Sequence, residues 1–184
     1  MLLAPTKLQG VVTFKPNVLQ DDRGFFIEGY RASYIEKIAP GIVFIQDNHA
    51  RSEKAGVLRG LHYQAPPVAQ AKFIWVTRGA VFDVVVDLRK GSPTYGEWEA
   101  FSLSADNFIR LFIPKGFAHG YLTLEPGTEV QYKVDAYYAP DAENGIAWND
   151  PDMGIPWPER NPILSEKDKK LPLLRNIDSP FNFF

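Results

Sequence analysis

Phe73-Ile74-Trp75-Val76-Thr77, then Arg78-Gly79-Ala80, then Val81-Phe82-Asp83-Val84-Val85-Val86-Asp87-Leu88 is the stretch from which the fold can be read. β-Branched and aromatic residues dominate both arms, and a glycine-centred triplet separates them. The pattern predicts two strands joined as a hairpin. Side chains alternate across a strand, so Phe82, Val84, Val86 and Leu88 share one face, and Val81, Asp83, Val85 and Asp87 share the other. A carboxylate on so apolar a face predicts a wet cavity or a paired neighbour on that side.

The same signature recurs outward. Val11–Phe14, Gly24–Glu28, Ile42–Asn48, Trp98–Leu103, Arg110–Ile113, Gly120–Leu124 and Glu129–Ala136 are short apolar or alternating runs, separated by Gly, Pro, Asn and Asp. Strands repeating every 8–12 residues or so predict an all-β sandwich or barrel. One short helix is expected at Ser33–Ile38, with Ser33 as its N-cap and Glu36 as the capping-box partner. From Trp148 the chain is rich in Pro and Asp and predicts a packed loop with short helices near Ser165–Lys170. No repeat or linker interrupts residues 1–184, which read as a single domain.

Composition narrows the function. Of 184 residues 45% are apolar, enough for a full core, and the net charge is −2 with a pI near 5.9. No positive field is present to hold a nucleic-acid backbone. There is no cysteine, so disulfides, thiolate zinc sites and cysteine nucleophiles are excluded, and a cytoplasmic location is expected. No signal peptide is read at the start, and no run of about 18 apolar residues is present to span a membrane.

Three histidines carry the chemical interest: His49, His62 and His119. His62 lies in Gly56-Val57-Leu58-Arg59-Gly60-Leu61-His62-Tyr63-Gln64, and His119 in Ile113-Pro114-Lys115-Gly116-Phe117-Ala118-His119-Gly120. Pro-x-Gly-x-x-His resembles the turn that delivers a histidine onto a cupin barrel strand. Metal-binding cupins usually take His-x-His and a Glu from the first motif. Here that motif reads His62-Tyr63-Gln64, with no Glu in the next dozen residues. Two histidines make a sparse metal site, so a metal-free barrel is expected, with both imidazoles left for proton chemistry.

These motifs occur in order with Asp22-Arg23-Gly24-Phe25-Phe26-Ile27-Glu28, Gln46-Asp47-Asn48, Gln70-Ala71-Lys72 and Val86-Asp87-Leu88-Arg89. Ser92-Pro93-Thr94-Tyr95-Gly96, Tyr132-Lys133, Tyr137-Tyr138, Trp148-Asn149-Asp150-Pro151 and Leu164-Ser165-Glu166-Lys167-Asp168 complete the set. Together, from about Gly10 to Lys170, the chain resembles the dTDP-4-dehydrorhamnose 3,5-epimerase family. The resemblance implies a cupin-type double-stranded β-helix, or jelly roll, with a few short helices. It implies no cofactor and no metal, and a homodimer whose N-terminal segment crosses to the partner. The implied ligand is a dTDP-4-keto-6-deoxy sugar nucleotide.

Epimerisation beside a ketone needs a base on one face, an acid on the other and a stabiliser for the enolate oxygen. By resemblance His62 is the base and Asp168 its orienting carboxylate, with Asp83 as second choice. Tyr132 is the opposite-face acid, and Lys72 lies near the oxyanion, with His119 as a substrate contact. Arg23, Arg59 and Lys167 match ligand contacts, the arginines suiting the diphosphate. Tyr138 matches an aromatic that stacks on thymine. Phe26, Glu28, Gln46, Asp47, Asn48 and Glu143 match further binding positions. Two departures stand out. His49 replaces an expected small polar residue. Tyr121 replaces an expected Phe and adds a hydroxyl near the cavity. Competing readings are a single-carbon epimerase, a metal-dependent cupin enzyme and a non-catalytic sugar-nucleotide binder.

Overall fold

The structure is a computed structural model that describes residues 2–183. Along the chain run β1 (Leu2–Pro5), β2 (Val12–Lys15), β3 (Val18–Asp21), β4 (Gly24–Ile27) and the helix α1 (Ala32–Ile38). Then come β5 (Gln46–Ser52), β6 (Leu58–Gln64), β7 (Lys72–Arg78), β8 (Ala80–Asp87), β9 (Arg89–Lys90) and β10 (Trp98–Ser104). They are followed by β11 (Arg110–Ile113), β12 (Phe117–Thr123), β13 (Thr128–Val134), β14 (Glu143–Gly145) and β15 (Phe181–Asn182).

Two antiparallel sheets face each other, as the cupin-type reading requires. One has the order β1-β2-β11-β7-β13-β5 and the other β10-β8-β12-β6-β14. Ile74, Val76, Leu111, Ile113 and Val130 of the first sheet pack against Val81, Val85, Phe117 and Tyr121 of the second. The outer face of the first sheet is covered by α1, with Ile35 packed near Phe14, Phe73 and Phe112. The outer face of the second is covered by the tail, through Ile146, Met153 and Phe181 against Leu61, Val84 and Val86. This explains the near-continuous apolar run of Val81–Leu88. Its strand is buried on both sides, and the two carboxylates enclosed with it, Asp83 and Asp87, meet polar partners.

The expected hairpin at Phe73–Leu88 does not form. β7 pairs with β11 and β13, whereas β8 pairs with β10 and β12, so the chain changes sheet between them. Gly79 makes the corner. It has φ +72, and a Cβ there would lie 2.5 Å from Oγ1 of Thr128. A triplet of this composition suits a corner as well as a reversal, and the pairing partners decide between them.

The helix also starts earlier than expected. Arg31 is its N-cap with no side-chain cap, Ser33 lies inside the first turn, and the Glu36 carboxylate accepts from the Gly41 N–H at 3.2 Å. The expected extended run at Ile42–Asn48 becomes regular only at Gln46, and continues to Ser52. A 3₁₀ turn at Asp168–Lys170 matches the helix expected in the tail.

Candidate active site

A cavity of about 430 Å³ opens between the sheets. β6 and β12 supply Arg59, His62, His119 and Tyr121 from one wall, and β7 and β13 supply Lys72 and Tyr132 from the other. The segment Ile163–Asp168 closes a side, held where the Leu58 N–H donates to the Ile163 carbonyl at 3.0 Å.

A one-residue bulge sets the chemistry of the first wall. His119 is paired with His62 and Tyr121 with Arg59, so three steps along β6 oppose two along β12. In a regular strand, residues three apart point to opposite faces. The extra residue turns both Arg59 and His62 toward the cavity. Gly60 and Gly120 permit the crowding. Gly60 has φ +134, and a Cβ there would lie 2.5 Å from the Gly120 Cα.

His62 Nε2 is 2.6 Å from Asp168 Oδ1. Asp168 is buried, and burial pushes its carboxyl up. The hydrogen bond and charge of His62, with Ser165 and Lys167, outweigh this and hold it below the usual carboxylate range. Asp83 does not serve His62. It is fully buried and lies 2.8 Å from His119 Nε2 through Oδ2, while its Oδ1 has no hydrogen-bond partner. The cavity therefore holds two His–Asp pairs, one per histidine. Asp83 is legible in the sequence as an acid on an apolar strand face, whereas its partnership with His119 is not.

Lys72 is desolvated, and this lowers its ammonium to about 8, against the opposing pull of Asp83 and Glu143. Tyr132 is shifted the other way. Burial raises its phenol above the ordinary value, Arg59 opposes the shift and Glu143 adds to it. It therefore stays a proton donor at neutral pH. Arg59 has no carboxylate partner among the described residues.

A second polar group forms the rim. Glu143 pairs with Lys167 and accepts from the Tyr138 hydroxyl at 2.5 Å. Burial raises its carboxyl, but Lys167, Tyr138 and His62 outweigh it and leave it below the ordinary value. Gln46 accepts from the Tyr138 N–H at 3.2 Å and donates to Asn48 Oδ1 at 2.9 Å. Asn48 is paired with Tyr132 across β5 and β13, so the two share a face.

Four expected binding residues lie elsewhere in the single chain. Asp47 is on the opposite face of β5, bonded to Lys133 at 2.7 Å. Its alternation with Gln46 and Asn48 makes this unavoidable. Arg23 is fully exposed on the β3–β4 ribbon and pairs with Asp21. Phe26 is exposed on the same ribbon, and Glu28 just beyond it pairs with Arg31. His49 shares the outer face with Asp47 and lies 3.0 Å from Glu129, away from the cavity. Ser165 lines the cavity and accepts from the Asp168 N–H at 3.1 Å. Nothing in the sequence marks this role of Ser165 beyond its place three residues before Asp168.

Among the described residues, no three His, Cys, Asp or Glu side chains converge as a metal site. The wall with His62 and the wall with Tyr132 can contact opposite faces of one guest, with Lys72 on the second wall as a cation. That arrangement suits proton removal and return beside a carbonyl.

A family model described as dTDP-4-dehydrorhamnose 3,5-epimerase matches residues 5–176. The dTDP-4-dehydrorhamnose 3,5-epimerase of Escherichia coli (strain K12) is 49% identical over 168 residues, covering 90% of each chain. The crystal structure of the Bacillus anthracis enzyme of that name, with TDP and PPi bound, superposes with a TM-score of 0.90 at 49% identity, covering 94% of this chain and 98% of that one. The epimerase of Legionella pneumophila, in complex with dTDP-4-keto-L-rhamnose, gives a TM-score of 0.94 at 40% identity, covering 100% and 98%. Motif order, barrel, cavity and these likenesses agree, and the chain belongs to the dTDP-4-dehydrorhamnose 3,5-epimerase family.

Proposed function

We propose that this chain inverts carbons 3 and 5 of dTDP-4-dehydro-6-deoxy-D-glucose, giving dTDP-4-dehydro-L-rhamnose. The observation that carries the reading is the His62–Asp168 pair on one cavity wall with Tyr132 on the other. The ketone at carbon 4 acidifies the hydrogens on both neighbouring carbons. His62 takes one of these protons, and the C–H electron pair moves into an enolate whose oxygen is stabilised by Lys72 and His119. Tyr132 then returns a proton to the same carbon from the opposite face. Asp168 fixes the His62 tautomer and stabilises the imidazolium. The acidity comes from the substrate's own carbonyl, so the steps need no cofactor.

In this reading Arg59 binds the diphosphate, and the Tyr138–Glu143–Lys167 rim with Gln46 and Asn48 binds the nucleotide end. The functional unit in this reading is one domain in a cytoplasmic homodimer. In it, Arg23, Phe26 and Glu28 of each copy complete the cavity of the other. The exposure of Arg23 and Phe26 on a ribbon outside the cavity, with Glu28 just beyond it, supports this.

Incubation with the 4-keto-6-deoxyglucose nucleotide in heavy water tests the reaction. Deuterium is expected at both carbons, and label at one carbon only would make the chain a single-carbon epimerase. His62→Ala is expected to suppress exchange at both carbons to background. Tyr132→Phe is expected to impair completed inversion more than initial exchange. Exchange near the wild-type rate in His62→Ala would remove His62 as the base.

A further inference from the structure

Tyr121 is a polar group that the proposed mechanism leaves without a task. It lies on β12 two residues beyond His119, on the same face, and is paired across β6 with Arg59 and across β8 with Asp83. The residue is only 5% exposed, and it lines the cavity. Its ring lies against the His119 imidazole, centroids 6.3 Å apart at 44°, so its direction is fixed by packing. Its hydroxyl makes no hydrogen bond to any described residue. The hydroxyl opens to the cavity, where water can satisfy it only while the cavity is wet. A guest that fills the cavity must supply the partner or leave the group unsatisfied. Burial also keeps the phenol protonated far above neutral pH, so it stays available as a donor.

The position of Tyr121 narrows what that guest atom is. The layer formed by His62 and His119 surrounds the reacting carbons in the proposed mechanism. Tyr121 and Arg59 form the next layer of the same wall. With Arg59 taken toward the diphosphate, as proposed above, this layer lies beside the sugar between the ketone and the diphosphate, where the ring carries hydroxyl groups.

We propose that Tyr121 selects the hexose, its hydroxyl hydrogen-bonding one ring hydroxyl of the bound nucleotide sugar. This rests on the epimerase reading only in taking the guest to be a nucleotide-linked hexose. A site that pairs with a substrate hydroxyl discriminates strongly against the analogue that lacks it. Tyr121 is a specificity residue here and takes no part in moving the proton.

The test is a cycle of one substitution and two ligand changes, read by calorimetry. The ligand is dTDP-6-deoxy-D-glucose, which has no ketone and does not turn over, compared with its 2-deoxy and 3-deoxy counterparts and with dTDP alone. Wild type should bind one of the deoxy ligands about tenfold more weakly than the parent. Tyr121→Phe should bind the parent about tenfold more weakly than wild type does, and should lose nothing further on that same deoxy ligand. It should bind dTDP as wild type does, which shows that fold and nucleotide contacts persist. Equal losses on every ligand, weaker binding of dTDP, or an unchanged affinity for the parent would each overturn the assignment. So would a wild type that binds no dTDP-hexose. If wild type binds the hexoses but exchanges no deuterium into the keto sugar, the epimerase reading fails while the cycle still decides Tyr121.

Discussion

At the residue scale the most informative group is Lys72, because its charge is useful for catalysis and costly for folding. Desolvation lowers its ammonium from an ordinary value of 10.5 to about 8. The protonated form stabilises the enolate oxygen, so kcat/KM, which reports the free enzyme, should fall tenfold per pH unit above about 8. The anionic ligand raises the affinity of Lys72 for its proton, so the corresponding limb in kcat should lie at higher pH. Stability should move the other way. Between pH 8 and 10.5 the unfolded chain binds more protons than the native one, so the Lys72 contribution to stability rises with pH across that window. At pH 7 the buried charge costs up to about 3 kcal/mol. Lys72→Met should therefore be inactive yet more stable to urea than wild type at pH 7, with the gap narrowing by pH 10. A variant less stable at pH 7 would show that the ammonium's attraction to Asp83 and Glu143 outweighs its desolvation. How legible such residues are in sequence depends on what must be known. Lys72 and Asp168 were found through motif likeness alone. The 106 positions separating His62 from Asp168 leave no local signal that they meet. The Asp83 carboxylate was visible as an acid on an apolar face. Its pairing with His119 required the register of β8 and β12.

At the scale of elements the bulge in β6 is the feature on which the site turns. It places Arg59 and His62 on one face, and it exists because Gly60 and Gly120 let two backbones approach closely. A methyl group at Gly60 meets the Gly120 Cα at 2.5 Å, on a backbone with φ +134 that side chains resist. Gly60→Ala should cost about 2–4 kcal/mol in urea denaturation, combining overpacking with backbone strain. It should also lower kcat by more than the loss of folded protein accounts for, since the strand relaxes by shifting Arg59 or His62. An Ala variant with native stability and activity would show that the bulge is dispensable. The same element explains what the sequence conceals. Arg110–Ile113 was read with its observed bounds because it is a regular apolar strand. Leu58–Gln64 was read as a motif rather than a strand, because its bulge breaks the alternation on which strand reading depends. The segment Phe73–Leu88 gave both of its strands but the wrong relation between them. Local composition marks where a chain turns, and only long-range pairing decides whether it turns within one sheet or into another.

For the whole molecule the open relation is between the cavity and the β3–β4 ribbon. The ribbon exposes Leu19, Phe25 and Phe26, with relative exposures of 65%, 59% and 69%, around the fully exposed Arg23. Large apolar side chains that neighbour each other on a ribbon are unusual unless something covers them. The cavity, in turn, carries Arg59, a cation with no carboxylate partner among the described residues. The two-fold dimer proposed above would account for both, with each ribbon covering the other copy and delivering its arginine there. The prediction is made with two inactive variants, Arg23→Ala and His62→Ala, unfolded together and refolded as a mixture. If Arg23 acts in the second copy, each mixed dimer has one site with both residues intact. Random pairing then returns about a quarter of wild-type activity from two preparations that have almost none alone. If Arg23 serves its own chain, no pairing yields an intact site, and the mixture stays as inactive as its components. Sedimentation of the refolded mixture establishes that dimers formed, so that silence is attributable to geometry and not to failed assembly.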